Sequence, residues 1–423
     1  MGSMKNAVVI GSGVAGLASA AAISPFFKKV TVLDKDTRAV ASGEFPSGIR
    51  KSVPQGAHIH ILLKAGLERL ESILPGIASR LESRGSVRIC CGTEQQIYEY
   101  GGWMPCRDLG MYFLSQSRPL LESVVYECVD EIGNVDIKQN SRVVGMDFAN
   151  CSDRPKSTVF LKDGSEISAD VIVDAAGNGA PFLRLMNEKL SENIPIEESP
   201  INLFYATLYF RKKALWQGKQ ENILVNPEPG VSNFGGSLIS IEDESWCVSL
   251  HGANGEKPPK DKDEWMAMVS TLANDRIWNR IQGADIVSDL KIYKKATSIF
   301  RRFDLVEGLP KSYFPIGDTI TSFNPIYGQG MTVALGHVIA LKNSLSGNVE
   351  ELHQIHSEYL KNSIEVSRPA WDRAALFDEQ GKILSRKVGR VDTLRKITKA
   401  KHKRAEAEID YHLELAKKVH MLT

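Results

Sequence analysis

The chain has 423 residues, of which 43% are hydrophobic and 24% are charged, and its formal net charge is +1. This composition excludes a largely disordered chain, because disorder requires low hydrophobicity and a high net charge. It also argues against a dedicated nucleic-acid-binding protein, which would carry an excess of basic residues.

Six cysteines are too few for a disulfide scaffold in a chain of this length, and none has CxxC or Cys/His metal-binding spacing. We therefore expect a reducing, cytoplasmic setting and no metal site. The uncharged segment 6–27 is long enough to suggest a membrane span. Gly11, Gly13 and Gly16, with Pro25 near its end, argue against a lipid-spanning helix.

The first elements predict a strand, a glycine loop, a helix and a second strand within residues 5–34. The β-branched run at 5–10 is typical of a buried parallel strand. In the loop, Gly11 permits the tight turn, Gly13 lets the backbone approach a pyrophosphate, and Gly16 lets helix and strand pack closely. Asp34 would accept hydrogen bonds from an adenosine ribose. This pattern predicts a dinucleotide site.

Two later apolar runs, 169–176 and 312–317, also end in glycine and predict further strands of the same sheet. We therefore expect a discontinuous nucleotide-binding domain of residues 4–75, 118–184 and 300–345. Polar and apolar residues alternate between about 185 and 300, which predicts an antiparallel sheet. The predicted substrate domain comprises 76–117 and 185–299, and 346–423 forms a helical C-terminal region.

A second motif indicates which dinucleotide is bound. Asp318 follows a predicted strand, and Gly328 and Gly330 open a helix rich in small residues. An acidic side chain at that place can hold the ribityl hydroxyls of a flavin. Backbone amides at the start of the helix can reach the N1–C2=O edge of its ring. The second motif favours FAD over NAD.

Five segments occur in an order that resembles the FAD-dependent monooxygenases related to aromatic hydroxylases and squalene epoxidase. They are Gly11 to Gly16 with Asp34, the run RKSVPQGAHIH at 50–60, SRPLLE at 117–122, DAAG at 174–177, and GD through SFNPIYGQGM at 317–331. The likeness is greatest to the bacterial branch that includes polyether-pathway polyene epoxidases. It implies a glutathione-reductase-like α/β FAD domain, a β-sheet substrate domain and a helical C-terminus.

The resemblance also implies roles for individual residues. Arg50 and Arg118 would contact the flavin, Asp318 its ribityl–phosphate region, and Val143 the adenine. The segment Gly328 to Met331 would lie at the ring edge. The full predicted cofactor-binding set is Gly11, Gly13, Ala15, Gly16, Asp34, Lys35, Arg50, Arg118, Val143, Asp318, Gly328, Gly330 and Met331.

The activity implied is insertion of one O2-derived oxygen atom, through a flavin C4a-hydroperoxide, into a hydrophobic unsaturated natural-product intermediate. NAD(P)H is the expected electron donor. It would act directly or through a separate flavin reductase, because no second GxGxxG indicates an NAD(P)H domain. The Trp-x-Trp-x-Ile-Pro signature of halogenases is absent. Two alternatives are a reductase that saturates isoprenoid double bonds and a non-catalytic flavin-binding scaffold.

No Ser/His/Asp or Cys/His set indicates a protein nucleophile. Candidates for a role beside the flavin are His58, His60 and Tyr205. In an extended segment the two histidines would point to opposite sides, and both are more typical of structural residues. Tyr205 would share a strand face with Tyr209. Hydroxylation of a phenol benefits from a base. Since the sequence shows no clear one, it slightly favours epoxidation.

The segment 382–404 contains ten basic residues and a single acidic one, Asp392. Leu384, Val388, Val391, Leu394 and Ile397 recur at helical spacing and predict one apolar face. This predicts a helix docked on the protein by that face. The alternative is a basic patch for an anionic membrane surface, a carrier protein or an acidic substrate.

Overall fold

A computed structural model of the chain describes residues 5–37, 45–50, 52–149, 156–228, 230–253, 255–347, 351–385 and 391–422. Its strands are β1 (Asn6–Ile10), β2 (Lys29–Leu33), β3 (Val87–Cys90), β4 (Gln95–Glu99), β5 (Gly102–Trp103), β6 (Tyr112–Ser115), β7 (Val135–Lys138), β8 (Val143–Asp147), β9 (Ser157–Leu161), β10 (Glu166–Ala169), β11 (Val171–Asp174), β12 (Ile196–Arg211), β13 (Asn222–Val225), β14 (Phe234–Ile241), β15 (Ser245–Gly252), β16 (Lys291–Arg301), β17 (Tyr313–Pro315) and β18 (Thr321–Ser322). Its α-helices are α1 (Val14–Ile23), α2 (Lys64–Ile73), α3 (Ile77–Ser83), α4 (Arg118–Asp130), α5 (Leu183–Lys189), α6 (Lys262–Ser270), α7 (Arg276–Ile281), α8 (Gly330–Ser346), α9 (Leu352–Ser385), α10 (Val391–Ala407) and α11 (Ile409–Val419).

A parallel sheet of order β17-β11-β1-β2-β7 organises the first layer. Central strand β1 pairs with β11 on one side and β2 on the other, so Val8 lies beside both Ile172 and Thr31. Every residue of β11 is buried. Such strands suit a parallel sheet with both faces covered. The sheet confirms the predicted α/β architecture built from distant segments.

Small residues let α1 pack closely on this sheet. Nine of its ten residues are buried, and most of them are alanine, glycine or serine. A Cβ at Gly16 would collide with the carbonyl oxygen of Gly11, which itself has a φ of +100°. Helix α8 packs against α1 and is in turn covered by α9. The glycine loop is therefore held between β1 and α1 by contacts that only glycine permits.

The second layer is a sheet of order β18-β16-β12-β15-β14-β13-β4-β5. It is antiparallel as predicted, except that β13 pairs with β4 in parallel. One face carries Phe204, Leu208 and Trp246 into an apolar core beneath α6 and α7. On β12, alternation then places Tyr205 and Thr207 on the opposite face.

Two smaller sheets, β10-β9-β8 and β3-β6, complete the strands of the described residues. Helix α3 packs against α4, and its Leu81 joins the core beneath the parallel sheet. Strand β18 pairs with β16. Segment 76–117 therefore contributes to the core of the parallel sheet, and segment 300–345 contributes a strand to the larger sheet. The domain boundaries stay a prediction.

The basic stretch docks on the protein through α10. Glu99 of β4 pairs with Lys401 and with His402, whose Nε2 lies 3.0 Å from the carboxylate. Arg395 donates to the buried Glu228 at 2.7 Å. Ile397 is nevertheless 60% exposed, so the predicted apolar face is not wholly covered. The predicted face and basic stretch also included residues outside the described ones, Arg386, Lys387, Val388 and Arg390.

In the part of the chain that the structure describes, no helix combines the length and apolar character needed to cross a bilayer. The uncharged segment 6–27 is instead divided between β1, the glycine loop and α1. Most of its apolar residues are buried against the parallel sheet and the helices beside it, while Ala15 and Phe26 are half-buried and Pro25 is exposed.

Candidate functional site

The glycine loop and the end of β2 are tied together by Asp34. Its Oδ2 accepts hydrogen bonds from the backbone N of Ser12 at 2.8 Å and from Arg50 Nη1 at 2.9 Å. The Ser12 hydroxyl also donates to Oδ2, and the N of Asp36 donates to Oδ1. A carboxylate has about four acceptor sites. A ribose hydroxyl bound here would therefore have to share Asp34 with these donors.

Arg50 and Arg118 belong to one buried chain of charges. Arg50 Nε donates to Glu122 Oε2 and Arg118 Nε to Glu122 Oε1, each at 2.8 Å. Burial alone would raise the pKa of Glu122, but Arg118 and Arg50 together lower this pKa to about 2. Although burial opposes it, the same contacts raise the pKa of Arg50. Glu122 and Arg50 are therefore charged at neutral pH, and the hydrogen bonds to Glu122 hold both arginines in position.

The predicted ring-edge segment lies next to this chain. Arg118 Nη1 contacts the sulfur of Met331, and an ideal Cβ on Gly330 would lie 3.9 Å from Asp318 Oδ1. Gly328 adopts a φ of +65°, which turns the backbone into α8 and favours glycine. The structure thus brings Arg50, Arg118 and this segment to one site.

Asp318 is surrounded by cations. Burial raises the pKa of its carboxyl, while Lys295, Arg118 and Arg301 act to lower it. Lys295 is itself held by the Ser322 hydroxyl, and Arg301 donates to the carbonyl of Asp318 at 3.1 Å. Hydroxyl groups of a ligand could therefore donate to the Asp318 carboxyl and accept hydrogen bonds from the cationic side chains around it.

Two helix N-termini at the site lack the usual caps. Helix α1, which follows Gly13, and α8, which follows Gln329, have no side-chain cap and no acidic residue in the first turn. Ser117 caps α4 and Asp261 caps α6, whereas α2, α3, α5, α7 and α11 also lack a side-chain cap, so a missing cap does not by itself mark the site. Uncapped amides at a helix N-terminus bind anionic groups.

These observations fit FAD. An ideal Cβ on Gly13 would meet only Arg50 Nη2, at 3.8 Å, so the backbone there is open beside a cation. A diphosphate suits α1 with Arg50, and the electron-rich edge of a flavin suits α8 with Arg118. Gly11, Gly13 and Gly16 belong to the first of these places, Gly328 and Gly330 belong to the second, and Asp318 lies beside Gly330.

Three other residues of the predicted cofactor-binding set are Ala15, Lys35 and Val143. Ala15 lies in the first turn of α1 and is half-buried, while Lys35 is exposed directly after Asp34. Val143 begins β8, where it pairs with Leu161. Their contacts with FAD stay predictions.

His58 and His60 point to different surroundings, as an extended segment predicts. His58 Nδ1 lies 2.7 Å from Thr207 Oγ1 on the large sheet. His60 Nδ1 donates to the His58 carbonyl at 2.9 Å, and its ring interacts electrostatically with Arg118. Burial is the main cause that lowers the pKa of His58 to about 3 and that of His60 to about 4. Both imidazoles are neutral at physiological pH.

Tyr205 is buried beside His58, with ring centroids 6.0 Å apart. Tyr293 of β16 also lies against His58, at 5.9 Å. Tyr209, on the same strand face as Tyr205, donates its hydroxyl hydrogen to the carbonyl of Ala57 at 3.1 Å. Segment 57–60 therefore crosses the polar face of the large sheet.

The predicted cofactor-binding set omitted four residues that the structure places here: Glu122, Lys295, Arg301 and Tyr293. Glu122 had a signal, because it lies four residues after Arg118 on a helix. The other three lie on β16, whose lysine-rich sequence is typical of an exposed strand. Only the pairing of β16 with β12 and β18 brings them to the site.

Comparison with known proteins supports this architecture. No family model matches the chain. Among curated proteins, it is 27% identical to protein Rv3254 of Mycobacterium tuberculosis over 402 residues, covering 88% of this chain and 80% of that protein.

Two solved structures show the same fold. PqsL of Pseudomonas aeruginosa, a "probable FAD-dependent monooxygenase", was solved with 2-aminobenzoylacetate. That complex has a TM-score of 0.68 at 16% identity, covering 90% of this chain and 98% of PqsL. The tetrameric form of 2-methyl-3-hydroxypyridine-5-carboxylic acid oxygenase has a TM-score of 0.64 at 16% identity. The match covers 91% of this chain and 93% of the oxygenase chain. The chain has the fold of the FAD-dependent monooxygenases.

Proposed function

We propose that this protein is an FAD-dependent monooxygenase. The observation that carries the proposal is the convergence of two uncapped helix N-termini with one buried pair of arginines. When bound, FAD supplies the chemistry of oxygen activation and transfer of one oxygen atom to a substrate. The protein residues bind the cofactor, orient the substrate and exclude water.

The two halves of the site have separate tasks. The N-terminus of α1 and Arg50 hold the diphosphate, and Asp318 holds the ribityl hydroxyls. The N-terminus of α8 stabilises negative charge at the ring edge, while Glu122 keeps Arg50 and Arg118 in place. The polar face of the large sheet, crossed by segment 57–60, forms the opposite wall.

The substrate that we propose is a hydrophobic unsaturated natural-product intermediate, oxidised by epoxidation or hydroxylation. The likeness to polyether-type epoxidases supports this class. So do the apolar contacts around the wall, where Ile59 and Ile61 pack against Tyr209 and Ile239. PqsL was solved with 2-aminobenzoylacetate, and the other oxygenase is named for a hydroxypyridine-carboxylic acid; both compounds contain an unsaturated ring. We propose NAD(P)H as the electron source, used directly or through a flavin reductase.

Oxygen isotope incorporation tests this function. Purified protein reconstituted with FAD is supplied with NADPH and a flavin reductase under ¹⁸O2, with a panel of polyenes and hydroxylated arenes. One ¹⁸O atom in a product is the expected result. Product formation without O2 consumption would refute oxygenation, and anaerobic saturation of a polyprenyl substrate would establish the reductase alternative.

Two variants separate the site from background flavin chemistry. Arg50→Met removes the cation beside Gly13, so FAD retention and ¹⁸O incorporation should both fall. Glu131→Gln is the matched control, because Glu131 pairs with Arg80 at the surface end of α4. Equal FAD retention in Arg50→Met and the wild type would contradict the assigned role of Arg50.

A further inference from the structure

The wall of the site opposite the cofactor residues is unusually polar for a buried strand face. Strand β15 is buried along its whole length, including Ser249 and His251. Their cross-strand partners on β12 are Thr207 and Tyr205. Buried polar side chains are normally hydrogen-bonded within the protein. On this strand face, only some of the buried polar side chains have a hydrogen-bond partner in the described part of the protein.

Thr207 links His58 to Ser249. Thr207 Oγ1 lies 2.7 Å from His58 Nδ1 and 2.7 Å from Ser249 Oγ, and the Ser249 hydroxyl reaches the carbonyl of Leu250 at 3.4 Å. A carbonyl can only accept, so the chain runs in one direction when the Ser249 hydroxyl donates to it. Ser249 donates to the carbonyl, Thr207 to Ser249, and His58 Nδ1–H to Thr207. Nε2 of His58 is then the ring nitrogen with a lone pair.

Several polar groups beside His58 have no protein partner. In the described part of the chain, His58 Nε2 and the hydroxyls of Tyr205 and Tyr293 make no hydrogen bond. The buried Nε2 of His251, whose ring lies 6.1 Å from that of Tyr205, also has none there. Of these four groups, His58 Nε2 offers an acceptor, and the hydroxyls of Tyr205 and Tyr293 offer two donors, to a ligand beside the His58 ring.

This group of side chains faces the ring-edge segment. Tyr205 interacts electrostatically with Tyr327, directly before Gly328, and Tyr293 interacts with Asp318. The ring centroids of Tyr205 and Tyr293 both lie within 6.0 Å of His58. These interactions bring the group within electrostatic range of the residues around Asp318 and Gly328.

We propose that His58, Tyr205 and Tyr293 form a subsite for an uncharged hydroxyl group carried by the unsaturated substrate. His58 Nε2 accepts the hydrogen of that hydroxyl, and the two tyrosines donate to its oxygen. Thr207 is a positioning residue, which fixes the ring nitrogen that His58 presents. This inference rests on the proposed function and narrows its substrate class to phenols and enols. It shifts the expected reaction towards hydroxylation, since the sequence alone showed no group to accept such a hydrogen.

Equilibrium dialysis with 2-naphthol and naphthalene tests the subsite, because the two probes share one ring system and differ in a single hydroxyl. The FAD-reconstituted wild type should bind 2-naphthol about tenfold more tightly, as expected of one or more buried hydrogen bonds. Thr207→Val keeps the side-chain shape and should reduce this preference about threefold or more, whereas Thr207→Ser should retain it. Tyr205→Phe and Tyr293→Phe should each reduce it, with unchanged affinity for naphthalene.

Tyr411→Phe is the matched control, since Tyr411 lies on α11 under the Arg404 guanidinium. It should leave the preference unchanged. Equal affinity of the wild type for both probes would overturn the subsite, as would an unchanged preference in Thr207→Val and both tyrosine variants. FAD content is measured in parallel. Loss of FAD with an intact preference would refute the proposed function alone, and FAD-dependent oxygenation without a preference would refute the subsite alone.

Discussion

Glu122 offers the sharpest test of the buried charge chain, because it is the single acceptor between two arginines. Its side chain is 5% exposed, and each arginine Nε lies 2.8 Å from one of its oxygens. Glu122→Gln keeps the shape but removes the charge and replaces one acceptor by a donor. One arginine then faces an amide N–H group, and the pair is left without its shared counter-charge.

The expected loss can be estimated from the pKa. A carboxyl whose pKa falls from 4.5 in the unfolded chain to about 2 in the folded protein contributes about 3 kcal/mol at neutral pH. Removing one partner of a buried ion pair costs a similar ~3–5 kcal/mol. Because the folded-state pKa is depressed, this contribution is fully present above pH 4.5 and is lost as the pH falls towards 2.

Urea unfolding followed by tryptophan fluorescence measures the difference. At pH 7, Glu122→Gln should lower the free energy of unfolding by about 3 kcal/mol, and the difference should shrink to about half by pH 3. Glu131→Gln, on the exposed end of α4, should have little effect. A loss below about 1 kcal/mol at pH 7, or one that does not depend on pH, would refute the proposed charge chain.

Two further predictions concern the glycine loop and the C-terminal helices. Gly16→Ala should abolish FAD retention and destabilise the protein, because its Cβ would collide with the Gly11 carbonyl; Gly133→Ala, where no atom lies within 4 Å, should retain FAD, and equal FAD content in both variants would contradict this. Glu99→Gln removes the carboxylate that pairs with Lys401 and contacts His402, so trypsin should cleave α10 several-fold faster while β12 and β15 remain intact. Glu408→Gln is its control, because it breaks only the exposed pair with Arg404, and equal cleavage rates would show that Glu99 does not hold the helix.

Local sequence determined the nucleotide-binding half of this protein. The β-branched run of β1, the glycines at 11, 13 and 16, and the alanine-rich α1 are constrained within a few residues of one another. A turn with a φ of +100° at Gly11 and the close approach at Gly16 admit few alternatives. The same holds for the segment from Gly328 into α8.

Only the tertiary structure decided what faces the site from the large sheet. Alternation in residues 185–300 predicts an antiparallel sheet, but it does not say what covers the face that carries Thr207 and Ser249. Segment 57–60 covers that face, and both residues are buried. Glu122 becomes a counter-charge for Arg50 only because α4 packs against α1. Such long-range contacts depend on how elements pack rather than on local periodicity, and therefore the sequence by itself could not determine them.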